Sequence, residues 1–500
     1  MATLDGSGRA VPLGMDITLR APGLRGQATA HNIAQGAPNR GPEVDGGSEA
    51  LDRALTEQGF LRLRVIQLDV VPAPGGGDGD LRAPYSDQPG LELTVPDLGA
   101  DVAQVLLAVD ENGVASWNFP VDNTGAPKPT DRGGGSTVRF IVPAFATDNS
   151  DGAAPPDRGI LGLLGRKILE LVALPLGQLV LPPLARAAAG AWEGEKRLTR
   201  ARTFTPDNYR SADNADLTEE DWKRLAVGRS LWFVHGTFVT SHGAFASADP
   251  AVIARLGEAY GGRVAAFDHH TLGVSPVENV AKLAAMVPPG IELEVDLVSH
   301  SRGGLVSRAL AGAQGTASPL NVRRIVHVAT PNHGTALATP DNLVAFIDRI
   351  TTMANLAPDG TPIDVVASAL SGVLVVVKVI AKYGVTALPG LAAMDSAGAF
   401  LKGFNAAPVE AEEFAVAANY SPSGGWRAVV RQGTNLLVDR VFGGTANDLV
   451  VPTAGVYEGS DAVAIPPERR LVLATDRAVY HGSFFNQPDV MNTVTGWLTG

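Results

Sequence analysis

Residues 291–310, IELEVDLVSHSRGGLVSRAL, contain the pattern that decides the fold. The segment 293–298 alternates and then becomes fully apolar, which predicts a strand entering a buried sheet. From Leu305 onward the apolar residues have helical spacing. Between the two lies a turn of small residues, and a strand, a sharp turn and a helix in this order form a nucleophile elbow. Such a turn would raise the side chain of Ser301 above the end of the sheet.

The elbow is one of two interpretations of this stretch. An ordinary strand-to-helix turn also favours small residues, so the pattern needs partners elsewhere in the chain. The usual elbow is G-x-S-x-G; here Ser299 replaces the first glycine, a mild steric departure, and Gly303 keeps the second. In an elbow the backbone N–H of Arg302 would lie at the start of the helix, where free donors favour a developing oxyanion.

Length and composition limit the classes of function. The 500 residues exceed what one hydrophobic core usually holds, so two or three domains are expected. A net charge of −12 argues against a general nucleic-acid binder. The chain has no cysteine, which excludes a disulfide, a thiolate nucleophile and a zinc–thiolate site.

The sequence predicts neither a signal peptide nor a transmembrane segment. The N-terminus lacks a basic segment followed by an apolar run, so a cytoplasmic protein is expected, with export by another route left open. The apolar stretch 160–191 is interrupted by charges and prolines. The stretch 365–377 is shorter than the roughly 20 residues that a membrane span needs.

The first 228 residues show three kinds of pattern. Residues 1–57 are poorly defined. Residues 58–147 contain short alternating strands separated by turn signals, which predict a β-sandwich-like domain. Residues 148–228 begin as a linker and continue in apolar segments, 159–174 and 176–192, that are interpreted as helices. The β-rich domain could be a binding module or a structural support.

Residues 229–500 alternate between strand and helix patterns. This alternation predicts an α/β fold with a doubly wound, mostly parallel sheet. The interval 335–410 shows no obvious core strand and is expected to form a helical cap, or lid, over the site. The core strands are predicted at 230–236, 263–269, 293–298, 322–331, 414–421 and 469–475.

A serine nucleophile needs a base, and His481 is the candidate among nine histidines. It follows the last predicted strand and precedes the closing helix, as the base does in the chain order Ser…Asp…His. A solvated loop histidine is the alternative. His300 lies within the elbow, where its side chain is expected to point away from that of Ser301.

The acid that orients the base is expected between the serine and the histidine. Asp448 lies in a turn before an apolar run and is preferred. Asp439 falls in a helical-looking stretch, and Asp476 is close in sequence to His481. A simple turn former or helix cap is the alternative role for Asp448.

The second oxyanion donor is expected from the loop after the strand at 230–236. Gly236 permits a close turn there, and the backbone N–H of Thr237 is the chosen donor, paired with that of Arg302. His235 is expected to fix this loop by a hydrogen bond.

Taken together, these motifs resemble the α/β-hydrolases of the bacterial lipase and esterase type. The resemblance covers about residues 229–500, a little over half the chain. The matching segments are HGTF at 235–238, SHSRGG at 299–304, TPNHGT at 330–335, LPGL at 388–391, FL at 400–401, FN at 404–405, NDLVVP at 447–452, and His481.

The resemblance implies a catalytic role for each matching residue. Ser301 would be the nucleophile, His481 the general base and acid, and Asp448 the orienting acid, with Thr237 and Arg302 as oxyanion donors. No metal or organic cofactor is implied. Some lipases of this type carry a structural calcium, but no dense carboxylate cluster predicts one here.

The expected function is that of a serine ester hydrolase, a carboxylesterase or lipase. The apolar residues of the cap at 365–376 favour a small-molecule or lipid-like acyl ester with a hydrophobic chain, although a buried helix would show the same pattern. An amide or thioester hydrolase on the same triad and a non-catalytic binding or scaffold protein are the alternatives. Peripheral contact with a membrane or polymer through the β-rich region, and the oligomeric state, are left open.

Overall fold

The structure is a computed structural model. It describes residues 1–14, 16–32, 49–57, 59–72, 91–99, 101–110, 115–121, 136–142, 166–175, 193–194, 197–213, 216–313, 318–339, 342–355, 370, 373–374, 376–377, 388–406, 409–420, 445–458, 464–475 and 479–500.

Two antiparallel sheets form the N-terminal region. One has six strands in the order β1-β4-β5-β10-β7-β8, and the other has four in the order β2-β3-β6-β9. Apolar side chains from both sheets, including Leu19 and Phe140 of the smaller and Ile66 and Leu106 of the larger, form one core. The two sheets therefore pack face to face as a sandwich. The elements are β1 Ala2–Asp5, β2 Val11–Gly14, β3 Ile17–Arg20, β4 Leu24–Asn32, α1 Glu49–Glu57, β5 Leu61–Pro72, β6 Leu91–Pro96, β7 Val102–Asp110, β8 Ala115–Asn118, β9 Thr137–Val142 and β10 Arg166–Pro175.

The sandwich is larger than the predicted segment 58–147. Four strands lie within residues 1–57: β1 and β4 belong to the six-stranded sheet, and β2 and β3 belong to the four-stranded sheet. The prediction of a helix at 159–174 is wrong for residues 166–174, because β10 pairs with β5 and β7 in the middle of the six-stranded sheet. A strand buried on both faces reads as a continuous apolar run, which periodicity cannot distinguish from a buried helix. The predicted helix at 176–192 lies outside the described residues.

A second, seven-stranded sheet forms the C-terminal region. Its order is β11-β13-β12-β14-β15-β16-β17, and all neighbours are parallel except β11 and β13. The edge strand β11 lies within the segment 148–228, which was predicted to be linker and apolar helices, and was not expected. The strands are β11 Arg200–Thr203, β12 Ser230–Val234, β13 Val264–Asp268, β14 Leu293–His300, β15 Leu320–Val328, β16 Glu412–Ala418 and β17 Arg470–Leu473.

Helices cover both faces of this sheet. One apolar cluster joins the sheet to α4 and α10, and a second joins its other face to α2, α5 and α6. Because the chain runs from β12 to β13 on one side and then to β14 on the other, the sheet is doubly wound, with the elbow strand β14 inside it. The α/β-hydrolase fold is therefore confirmed. The helices are α2 Glu219–Ala226, α3 Ser241–Ala244, α4 Pro250–Ala259, α5 Pro276–Met286, α6 Gly303–Gly312, α7 Leu343–Asn355, α8 Pro389–Ala392, α9 Ala399–Phe404 and α10 Pro488–Thr499.

The described parts of the interval 335–410 form the helical cap, which comprises a 3-10 turn at Ala336–Ala338 and helices α7, α8 and α9. The apolar stretch 365–376 lies mostly outside the described residues; its described members, such as Leu370 and Val373, are buried. No helix among the described residues is long and apolar enough to cross a membrane.

The sandwich packs on the cap through the outer face of its larger sheet. Trp117 of β8 is buried; its backbone N–H donates to a carboxyl oxygen of Asp348 of α7 over 2.7 Å, and its indole N–H donates to Thr351 over 3.2 Å. Phe60 packs 6.4 Å from the Trp117 ring, measured between centroids. The N-terminal sandwich and the C-terminal α/β region therefore share one apolar core.

Candidate active site

The turn after β14 has the geometry of an elbow. Ser301 has φ +53°, in the left-handed region, and its backbone N–H donates to the carbonyl of Val328 over 2.9 Å. A Cβ on Gly303 would lie 2.3 Å from the carbonyl oxygen of Val234, so only glycine fits there. Such strain in a non-glycine residue is typical of functional sites.

Ser299, the departure from the usual elbow glycine, has a partner. Its hydroxyl lies 2.6 Å from that of Ser307 on α6, and both residues are buried. The side chain therefore joins the end of the strand to the following helix.

Ser301, His481 and Asp448 lie in contact. His481 Nε2 is 2.9 Å from Ser301 Oγ, and His481 Nδ1 is 2.8 Å from Asp448 Oδ2. The carboxylate requires a proton on Nδ1, which leaves Nε2 free to accept one from the serine. All three side chains are nearly buried, and Ser301 is 5% exposed. The competing acids Asp439 and Asp476 lie outside the described residues.

The acid turn holds Asp448 firmly. Asp448 Oδ1 accepts backbone N–H groups of Val450 and Val451 at 3.0 and 2.7 Å. The Thr335 hydroxyl, from the predicted motif at 330–335, donates to the Val450 carbonyl over 2.6 Å. The backbone N–H of His481 donates to the Asp448 carbonyl over 2.9 Å. The turn therefore positions both Asp448 and His481.

The loop after β12 approaches the serine closely. A Cβ on Gly236 would lie 2.7 Å from Ser301 Cβ, which explains the glycine. The backbone N–H groups of Thr237, in this loop, and of Arg302, next to the serine in the chain, have no hydrogen-bond acceptor among the described residues. Two free donors beside a nucleophile are the arrangement that an oxyanion needs.

His235 fixes this loop through both ring nitrogens. Its Nε2 accepts the backbone N–H of His269 over 2.9 Å, so Nδ1 carries the proton and donates to the Gly236 carbonyl over 2.9 Å. The His269 ring stacks on it, with centroids 4.1 Å apart. Burial lowers the pKa of His235 to about 4, which keeps the ring neutral, and the two hydrogen bonds fix its tautomer.

His300 has a role that the sequence did not predict. Its Nε2–H donates to the backbone carbonyl of His481 over 2.9 Å, and the two ring centroids are 5.0 Å apart. Burial and the neighbouring His481 lower the pKa of His300 to about 3, so it is a neutral donor. Its position before the nucleophile, at the end of a buried strand, was the only signal in the sequence.

The Arg302 side chain is held by two backbone carbonyls that lie far from it in sequence. Its Nε donates to the Gly390 carbonyl of α8 over 2.9 Å, and Nη2 donates to that of Val274. Burial lowers the pKa of Arg302 to about 10, while the carboxylate of Glu193 acts in the opposite direction; the guanidinium stays charged at neutral pH. Among the described residues, no group of three or more His, Asp or Glu side chains is placed to hold a metal ion.

One family matches the chain. The family described as a domain of unknown function (DUF7379) matches residues 196–499. No curated protein sequence matches.

Solved structures with a similar C-terminal region include three bacterial enzymes. The mature lipase BlEst2 of Bacillus licheniformis is 20% identical, with 54% of this chain and 91% of that chain covered and a TM-score of 0.33. Phospholipase PlaB of Legionella pneumophila is 13% identical, with 54% and 59% covered and a TM-score of 0.36. Lipase 1 of Pelosinus fermentans is 11% identical, with 54% and 97% covered and a TM-score of 0.36. The fold assignment rests on the strand order and the elbow described above.

Proposed function

We propose that this chain, which belongs to the family described as a domain of unknown function (DUF7379), is a serine ester hydrolase. The observation that carries the proposal is the unbroken contact from Asp448 through His481 to Ser301, beside two free backbone N–H groups. A scaffold protein has no need of a strained serine, a fixed histidine tautomer and unpaired donors at one place.

The reaction follows from this arrangement. Ser301 Oγ attacks the acyl carbonyl while His481 Nε2 takes its proton, and Asp448 stabilises the imidazolium that forms. The N–H groups of Thr237 and Arg302 receive the developing oxyanion, each contributing about 3 kcal/mol in comparable sites. His481 then protonates the leaving alcohol, an acyl-enzyme remains, and a water activated by His481 releases the acid.

The surroundings favour an ester with a hydrophobic acyl chain. Phe238 of the oxyanion loop, Leu305 of the elbow helix and Val450 of the acid turn belong to one buried apolar cluster, together with cap residues such as Leu337 and Phe346. We propose that the acyl chain packs against this cluster. Burying it there is favourable by about 0.8 kcal/mol per methylene group.

The test is hydrolysis of p-nitrophenyl esters from acetate to palmitate by wild type and by Ser301→Ala. We expect wild type to turn over, with kcat/KM rising from acetate to medium chains, and Ser301→Ala to lose at least about 1,000-fold while remaining folded by circular dichroism. Ser230→Ala, at a buried serine that begins β12 and donates to the Glu294 carbonyl, is the control for loss of a hydroxyl. A fully active Ser301→Ala, or a wild type that cleaves amides or thioesters but no ester, would overturn the proposal.

A further inference from the structure

Two buried charged residues lie outside the triad, ahead of the first strand of the C-terminal sheet. Glu193 is 0% exposed and Arg197 is 3% exposed. The backbone N–H of Arg197 donates to the Glu193 carbonyl over 2.7 Å, so the two are one helical turn apart. Burying charges is costly unless they are paired and hydrogen-bonded, so their partners indicate their role.

Glu193 holds the loop that follows β13. Its Oε1 accepts the backbone N–H groups of Thr271 and Leu272, the latter over 2.9 Å, and the Thr271 hydroxyl over 3.3 Å. Its Oε2 accepts the N–H of Gly273 over 3.0 Å. A carboxylate that receives three consecutive backbone donors makes charge-assisted bonds, which are about twice as strong as neutral ones.

Arg197 holds the oxyanion loop. Its Nη2 donates to the carbonyl of Phe238 over 2.7 Å. Phe238 has φ +64°, a left-handed conformation that a bulky residue adopts only when its surroundings impose it. Its backbone N–H lies 3.4 Å from the Thr271 hydroxyl, which Glu193 itself holds. Both backbone groups of Phe238 are therefore fixed, directly or through one residue, by the Glu193–Arg197 pair.

Thr237 lies between two restrained residues. Its N–H shares a peptide plane with the Gly236 carbonyl, which accepts from His235 Nδ1 on one side. On the other side, the hydrogen bond that Arg197 donates to the Phe238 carbonyl fixes the path of the backbone after Thr237. The orientation of the Thr237 N–H therefore depends on the pair as well as on His235.

We infer that Glu193 and Arg197 are positioning residues, which aim the Thr237 N–H at the oxyanion. The inference rests on the proposed function, because it concerns the same site. Glu193 lies before the region that the family matches, so this part of the site comes from the upstream segment. An oxyanion donor acts mainly in the transition state, so a misplaced donor lowers kcat and leaves KM nearly unchanged.

Three variants test the inference in the full-length chain: Arg197→Met, Arg197→Lys and Glu193→Gln. With p-nitrophenyl butyrate, we expect Arg197→Met to lower kcat about 10- to 100-fold, less than the 100- to 1,000-fold typical of deleting a donor, with KM within about twofold. Affinity for butylboronic acid, whose tetrahedral serine adduct places an oxygen in the same space, should fall by a similar factor. Arg197→Lys should recover part of both losses, and Glu193→Gln should show a smaller loss of the same kind.

Arg324→Met is the matched control. Arg324 also donates to backbone carbonyls, those of Trp497 and Leu498, but on α10 rather than at the site. A merely structural role predicts that Arg197→Met and Arg324→Met change kcat and boronate affinity alike, or that the loss falls on KM or on the folded fraction; either result would overturn the inference. If Arg197→Met does not fold, Arg197→Lys and Glu193→Gln decide by the same measurements.

A second measurement separates this inference from the proposed function. The rate at which a fluorophosphonate labels Ser301 also depends on oxyanion donors, whether or not the enzyme cleaves esters. If wild type is inert toward esters yet Arg197→Met slows labelling at least about tenfold relative to Arg324→Met, the positioning role stands and ester hydrolysis fails. Equal labelling rates in the two variants contradict the positioning role.

Discussion

At the scale of single residues, buried neutral histidines support the site. His300 donates to the His481 carbonyl, and His235 bridges the oxyanion loop to His269. Burial lowers the pKa of His300 to about 3 and that of His235 to about 4, from an ordinary value of 6.5. From these lowered values up to about pH 6.5, the two histidines bind protons in the unfolded chain that they do not bind in the folded chain. Stability therefore rises with pH over this window and is lost on acidification.

We expect His300→Phe to lower kcat/KM about tenfold, because one buried hydrogen bond to the base contributes about 1–1.5 kcal/mol. The same variant should lose stability less steeply than wild type as the pH falls from 6.5 toward 4, by up to about 1.4 kcal/mol per pH unit, because one titrating group is gone. The measurements are ester kinetics and denaturant unfolding at several pH values.

The control for this prediction is His300→Gln. Glutamine does not titrate but its amide can donate, so it should share the flatter pH dependence while keeping more of the activity. A pH dependence identical to that of wild type in both variants would show that His300 does not titrate between the two states as described.

At the scale of elements, α7 connects the sandwich to the acid turn. Asp348 of α7 accepts the Trp117 N–H of β8, and the next residue, Arg349, donates to the Leu449 carbonyl over 2.9 Å. Leu449 follows the acid Asp448 directly. Burial raises the pKa of Asp348 to about 8, while the Trp117 N–H and Arg349 act in the opposite direction. Helix α7 therefore contacts both the N-terminal sandwich and the turn that carries Asp448.

The raised pKa of Asp348 predicts a pH dependence of stability opposite in sign to that of the two histidines. Between about pH 4 and pH 8 the folded chain holds a proton on Asp348 that the unfolded chain has lost, so this residue contributes a stability that decreases as pH rises. We expect Asp348→Asn, which stays neutral and keeps an oxygen acceptor for Trp117, to be more stable than wild type at pH 9, with the difference vanishing near pH 4.

Denaturant unfolding at pH 4, 6.5 and 9 measures this effect. Asp249→Asn, at the exposed N-cap of α4, controls for the loss of a carboxylate and should show no comparable trend. A stability difference between Asp348→Asn and wild type that is the same at all three pH values would contradict the prediction.

At the scale of the whole molecule, local motifs were predictable and long-range contacts were not. The elbow and the acid turn each have a short sequence signature, and His481 was chosen by its place in the chain order, which predicted that these side chains would meet. Glu193 and Arg197 carry no such signature, because their partners lie 41 to 80 residues away in loops. They lie just after the apolar stretch 176–192, in the segment predicted to be linker and apolar helices, and their charges gave no reason to expect burial.

The misassigned strand has a different physical cause. β10 is covered on both faces: Leu169 belongs to the core of the sandwich, whereas Val172 belongs to the core shared with the cap. Its apolar residues therefore lack the alternation that marks a strand with one exposed face.

The measurement that tests the central claim most directly is labelling of the full-length protein with a fluorophosphonate, followed by peptide mass spectrometry. The account predicts one phosphonyl group per chain, on Ser301, with labelling that is abolished in Ser301→Ala and strongly slowed in His481→Ala, because the serine needs its base. A wild-type protein that takes no label, or takes it at another serine, would contradict the assignment of Ser301 as an activated nucleophile.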